Sequence, residues 1–259
     1  METKYDFPIV LSPIKAGSII IPNKSAVIRE DTNQPIGIVS NKYGLLKHKD
    51  VIDSFREALK GKKFDERIDV VKNGAQMLAT YSFKNIQYEV TKDDVVGLQF
   101  IAKNSYDRTK SFQLILGALR LVCTNGMVMG RQFFSFTQKH IASGIASIEM
   151  SMLQEKIGIL TNKFKDSIPV MQAMSKLKLE EPNEGLFDQK NLFAHSLMIP
   201  NYLLKEAKES FYKDQEKTVW GFYNSLTYAI THKMKKEKPQ AQIDYTNRAW
   251  DAAIEVMEG

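Results

Sequence analysis

The sequence predicts an α+β fold: an antiparallel, β-rich N-terminal half with hairpins, followed by a helical C-terminal half packed on it. Three observations carry this. Up to about residue 123 the apolar residues come in alternating or short β-branched runs separated by turn residues. From about residue 146 they recur at steps of three and four. The change of period happens once, with strands in runs and then helices in runs, whereas a parallel α/β fold alternates them.

Taken in order, residues 1–24 read as irregular, because Pro8, Pro13, Gly17 and Pro22 interrupt any long element and 18–21 has strand character only briefly. Strands at 25–29 and 36–40 flank Asp31-Thr32-Asn33-Gln34-Pro35. Asp and Asn bond their own backbone there and Pro presets φ, so a hairpin is expected. A helix over 49–60 aligns Val51, Ile52, Phe55, Ala58 and Leu59 and stops at Gly61. Strands at 64–72 and 75–83 are joined through Asn73-Gly74, which suits the positive φ of a tight turn. Strand character continues at 86–90 and 94–102. Residues 111–116 and 118–123 read as strands or short buried segments.

In the second half, Leu153, Ile157, Leu160, Phe164, Ile168, Met171 and Met174 form one face of a long helix, with a kink expected at Pro169. Residues 180–185 are a polar loop, and helices are expected at 202–213, 218–233 and 243–257. The organisation expected is an irregular segment 1–24, a basic β-rich part with one helix over 25–145, and a helical part over 146–259, continuous with the β-rich part as one domain.

A chain of 259 residues that is 43% hydrophobic and 25% charged is long enough for a core without covalent staples. The single cysteine, Cys123, excludes an internal disulfide and a Cys-based zinc site, and its apolar neighbours read as those of a buried, inert thiol. No apolar run is long enough for a membrane span and no secretory signal opens the chain, so the expected address is a reducing cytoplasm.

The net charge of +6 is unevenly placed. Residues 1–150 hold 21 Lys and Arg against 15 Asp and Glu, whereas the remainder is balanced. Between residues 100 and 140, Lys103, Arg108, Lys110, Arg120, Arg131 and Lys139 face only Asp107. Such a cluster attracts phosphate polyanions; the same cluster also suits an ordinary solvated face.

Most catalytic signatures are missing. There is no Gly-x-Gly-x-x-Gly, no Gly-x4-Gly-Lys-Ser/Thr and no Gly-x-Ser-x-Gly, and His48, His140, His195 and His232 lie far apart without metal-ligand spacing. Two segments stand out. Asn104-Ser105-Tyr106-Asp107-Arg108-Thr109-Lys110-Ser111-Phe112 reads as a polar turn whose cations could hold a phosphate while Tyr106 stacks on a base, or as a plain loop tip. It is followed by Arg120-Leu121-Val122-Cys123-Thr124-Asn125, where Asn125-Gly126 reads as a turn. In Trp220-Gly221-Phe222-Tyr223-Asn224-Ser225-Leu226-Thr227-Tyr228, the residues Trp220, Asn224, Thr227 and Tyr228 share a helix face. Asn224 is expected to bond a turn of the β-rich half.

The run Arg120 to Asn125 after its polar turn resembles the phage/plasmid-like family known as domain of unknown function 932. Members carry an Arg-Val-Val-Cys-x-Asn stretch and, later, an aromatic-Gly-x-x-Asn-Ala-x-Thr-x-x-x-x-His helix. Trp220-Gly221, Asn224, Thr227 and His232 match the latter, with Ser225 in place of Ala, and Val39-Ser40 with Tyr43 is similar to the family's Val-Ser-x-x-Tyr. The resemblance implies a gene carried by phage, prophage or plasmid. In outline, hairpins followed by a long helix are also similar to phage single-strand annealing proteins.

The function expected is therefore that of a phage- or plasmid-encoded protein that binds or anneals single-stranded DNA in recombination or replication, with RNA as the other polymer. It would act as a homo-oligomer in the cytoplasm of a bacterial host, away from membranes. Phosphates would meet Lys103, Arg108, Lys110, Arg120, Arg131 and Lys139, and bases would stack on members of the set Tyr106, Phe112, Phe133, Phe134 and Phe136. Asn125, Trp220, Asn224, Thr227 and His232 would be structural. No catalytic residue, metal or cofactor is assigned. One alternative is a Mg²⁺-dependent enzyme on nucleic acid or nucleotides, using Asp93, Asp94 and Asp107. The other is a host-takeover or anti-defence interaction protein, with Met150, Met152, Met171 and Met174 offering an adaptable surface.

Overall fold

The computed structural model describes residues 4–109, 112–121, 125–128, 135–138, 150–179, 184–187, 198–234 and 239–258. The fold is α+β, with antiparallel sheets in the N-terminal half and helices in the C-terminal half. The strands are β1 (Ile9–Ala16), β2 (Ile19–Arg29), β3 (Gln34–Ser40), β4 (Asp65–Val71), β5 (Gln76–Thr91), β6 (Asp94–Ser105), β7 (Phe112–Arg120), β8 (Asn125–Val128) and β9 (Ser135–Gln138). The helices are α1 (His48–Ala58), α2 (Met150–Lys176), α3 (Asn201–Asp214), α4 (Val219–His232) and α5 (Pro239–Glu258).

Strands β1, β2 and β3 make one sheet in that order. A second sheet runs β4-β5-β6-β7-β8, and β9 shares the outer edge of β7 with β8. The chain divides into two compact units. The first comprises residues 1–81, 100–115 and 135–158; the second comprises 82–99, 116–134 and 159–259.

In the first unit, Phe7, Ile9, Val27, Ile36, Val39, Tyr43, Ala75 and Tyr106 form a core under the three-stranded sheet. In β3, Val39 is buried and its neighbour Ile38 is 57% exposed, as alternation requires, and a register shift that leaves Ile36 opposite no β2 residue lets Ile36 join the buried side. Gly37 lies so close to the Tyr106 carbonyl that a Cβ there would overlap the oxygen. Helix α1 buries Val51, Ile52 and Phe55, the face its spacing predicts. Asn73 and Gly74 both adopt positive φ in the turn between β4 and β5, as the Asn73-Gly74 signal requires, and Lys72 before them does so too.

In the second unit, the face of α2 read from its spacing is buried: Leu160, Phe164, Ile168, Met171 and Met174. The helix continues through Pro169. Helix α4 is buried on all sides, as an apolar helix without a polar face must be, and it is flanked by α3, α5 and β8. Thr218 caps it by accepting the Gly221 amide, and Gly221 passes the Glu216 carbonyl too closely for any side chain. Lys217 closes the C-terminal end of α3, donating to the carbonyls of Phe211 (2.6 Å), Tyr212 (3.1 Å) and Gln215 (3.2 Å).

Three local expectations are corrected. Residues 9–24 form β1 and the first part of β2; they are not irregular. Pro13 and Pro22 break a helix but are tolerated in strands that do not need their missing amide. The segments 75–83 and 86–90 are one strand, β5. Residues 112–120 likewise form the single strand β7.

Candidate nucleic-acid interface

Strand β6 lies between β5 and β7 and is buried along nearly its whole length, so its polar residues are drawn inside. Lys103 is only 4% exposed and donates to Gln113 Oε1 at 3.3 Å. Asn104 donates through Nδ2 to the Leu46 carbonyl (2.8 Å) and to His48 Nδ1 (3.0 Å). His48 Nε2 faces the Gly74 carbonyl at 3.0 Å. A carbonyl at one ring nitrogen and an amide donor at the other fit the neutral imidazole with its proton on Nε2.

Tyr106 stacks on His48 at 4.0 Å, and its hydroxyl accepts the His48 backbone amide at 2.6 Å. The Tyr43 hydroxyl donates to the Ser105 carbonyl at 2.7 Å. Burial pushes both phenols far above their usual range. At 1% exposure, Tyr106 has no face to offer a base. It belongs to the lock that joins β3, α1 and the end of β6, which corrects its assignment as a stacking residue. Phe112 is likewise buried.

The turn after β6 is held by Asp107. Its Oδ1 accepts from the Thr109 amide at 3.0 Å, and its Oδ2 accepts from Gln76 Nε2 at 2.9 Å. Burial alone would raise this carboxyl, but the bonds from the Thr109 hydroxyl and amide and from Gln76, together with the Lys72 ammonium, outweigh it and hold its pKa below the usual value. Arg108, at φ 63°, points from this turn into water.

Arg120 is corrected as well. Its Nε donates to Asp94 Oδ1 at 2.7 Å, with the two side chains 12% and 8% exposed. Asp94 Oδ2 accepts the Trp220 indole N–H at 2.7 Å. Both Asp94 oxygens are thus engaged by a cation and an indole, and Asp107 is engaged in its turn. Among the described residues no three His, Cys, Asp or Glu side chains converge as metal ligands would.

Of the six cations expected at the interface, Lys103, Arg108 and Arg120 are described, and of these only Arg108 faces water. Lys110, Arg131 and Lys139 lie outside the described residues, as do Cys123, Phe133, Phe134 and the side chains of Asn125, Phe136 and Met150.

Trp220, Asn224 and Thr227 are buried on α4, while His232 is exposed and lies 5.0 Å from the Tyr228 ring. Among the described residues Asn224 bonds no strand turn. Its Nδ2 donates to the Trp220 carbonyl of its own helix at 2.9 Å, and its Oδ1 has no partner among the described residues.

The sequence reading missed a cationic ribbon. β3 pairs with β2 only from Lys24 to Arg29, so Ile14–Ala16 and residues 19–23 extend past it as two strands alone, with the register shifting between Pro13 and Lys15. Residues 7–29 contain Lys15, Lys24 and Arg29 and no Asp or Glu. Arg29 pairs with Asp31, whereas Lys15 and Lys24 are exposed and meet no carboxylate among the described residues. Lys24 sits opposite Ser40 in register, two residues before the exposed Lys42. The Tyr106–Asp107 backbone passes directly against Gly37 of β3, so Arg108, the next residue, lies near the base of the same sheet. The readable signal was Ile19-Ile20-Ile21 after Gly17-Ser18, a β-branched run beyond a turn.

No solved structure matches the chain. The family described as Domain of unknown function (DUF932) matches residues 35–250, a span that opens inside β3, leaves the β1–β2 ribbon outside it, and includes the Asp94–Arg120–Trp220 cluster and all of α4. Matched over most of its length, the chain belongs to that family.

Proposed function

We propose that the protein binds nucleic acid through its phosphate backbone, in handling single-stranded DNA during recombination or replication of a phage or plasmid, and that the contact surface is the sheet β1–β3 with the Arg108 turn beside it. The observation that carries this is the acid-free stretch 7–29, which presents Lys15 and Lys24 to water with Lys42 and Arg108 near its base. Four solvated cations without carboxylate partners among the described residues are suited to displacing counterions from a polyanion. The buried Lys103 and the paired Arg120 have no part in this reading.

Fluorescence anisotropy with a labelled single-stranded oligonucleotide tests it. Four phosphate contacts give a slope of log affinity against log salt of about −3 on a single strand. Lys15→Gln with Lys24→Gln halves that slope. Absence of binding at low salt, or binding indifferent to salt, refutes the proposal. A parallel titration with RNA of the same sequence decides the polymer.

A further inference from the structure

The distal part of the β1–β2 ribbon has water on both faces, yet both faces carry isoleucine. Ile19 is 71% exposed and pairs with Ala16; Ile20 is 56% exposed and pairs with Lys15 on the opposite face. Ile21 is exposed on the Ile19 side. A two-stranded ribbon gains little from its own backbone bonds, and these isoleucines contribute nothing to a core in the free protein.

We infer that this ribbon enters the major groove of duplex DNA, with Lys15 and Lys24 on the flanking phosphates and the Ile19–Ile21 face against base edges, where thymine methyl groups are the apolar partners. The inference rests on the phosphate-backbone reading above and adds duplex DNA, beside the single strand proposed there, as a ligand whose base edges the ribbon reads. Dimensions support it. The two-stranded part, Ile14 to Ala16 with its partner, reaches about 10 Å at the rise of a β-strand. A major groove about 12 Å wide and 8.5 Å deep admits a two-stranded ribbon of that reach.

Two other occupants fit less well. A second copy of the chain joining edge to edge would have to pair along β1, whose free edge carries Pro13 and Lys15, or along β3, which carries Pro35. A two-fold contact of ribbon on ribbon would oppose lysine to lysine with no carboxylate to answer them. A bilayer would have to take in Lys15, which stands level with Ile20 and closer to the tip than Ile21.

The test compares the full-length protein on two duplexes identical in length and charge, one containing thymine and the other uracil in its place. The thymine duplex is expected to bind tighter by roughly fourfold for each methyl covered. Ile19→Ser with Ile21→Ser is expected to abolish that preference and leave the salt-dependent binding. Both residues are exposed, so the variant should fold, which circular dichroism checks. Binding to duplex without a thymine preference, a preference unchanged in the variant, or an equal preference on single strands overturns the inference while the nucleic-acid reading stands. Binding to no nucleic acid overturns both. If the variant instead loses self-association, or loses binding to anionic phospholipid vesicles, with its duplex affinities unchanged, the ribbon serves that partner and the inference fails.

Discussion

Replacing Asp94 by alanine tests the cluster that removes Arg120 from the surface. The carboxylate holds a guanidinium 2.7 Å away on one oxygen and an indole N–H 2.7 Å away on the other, all largely shielded from water. Breaking a buried ion pair by deleting one partner costs about 3–5 kcal/mol, because the remaining charge is left without compensation. An orphaned indole donor adds about 1–3 kcal/mol. Gln215 Oε1, 3.5 Å from Arg120 Nη1, offers the guanidinium partial relief, so about 4 kcal/mol is expected for Asp94→Ala. Asp94→Asn keeps an acceptor for the indole and should cost about half as much. The sharper expectation concerns Asp94→Ala with Arg120→Met: with both charges gone, the double variant should be more stable than Asp94→Ala alone. Urea denaturation followed by far-UV circular dichroism gives these differences, and the emission of Trp220 reports on the indole directly. A loss below about 1 kcal/mol for Asp94→Ala, or simple additivity in the double variant, refutes the reasoning. Arg120→Met should also leave the salt slope of DNA binding unchanged.

The remaining expectations concern the supporting structure. Gly37→Ala and Gly221→Ala each push a methyl into a backbone carbonyl, and each should lower stability by about 1–3 kcal/mol in urea melts. Asp107 has a folded-state pKa below its unfolded value of 3.8. Its contribution is therefore fully present above that value and disappears as the pH falls through the folded value; Asp107→Asn should flatten this part of the acid-denaturation curve. Lys217→Gln leaves three carbonyls at the end of α3 without their ammonium donor and should cost about 1 kcal/mol, read as a lowered Tm.

The helices were legible because α2 and α1 each bury one stripe, and a stripe repeats visibly in sequence. Helix α4 was legible in extent but not in role: buried on every side, it has no contrast between faces. The turn at Asn73-Gly74 was readable from its dipeptide alone. The ribbon was obscured by Pro13 and Pro22, since proline disrupts helices and central strands but is compatible with strands that leave its position unpaired. Lys103 and Tyr106 misled for a different reason. A strand covered on both faces loses its alternation, and a lysine on it cannot be told from a surface lysine by neighbours such as Ala102 and Asn104. Arg120 found its carboxylate 26 positions earlier, which no local pattern announces.

The 126 positions between Asp94 and Trp220 also set an order of events on the ribosome. At about 5–20 residues per second, the emerging chain holds Asp94 for about 6–25 s before the tryptophan is made. Arg120 arrives far sooner, so the ion pair is available early and the indole closes over it late. A nascent chain halted before α4 would carry the charged pair still wet, with Asp94 Oδ2 awaiting the Trp220 indole, and that interval is when a chaperone has most to protect.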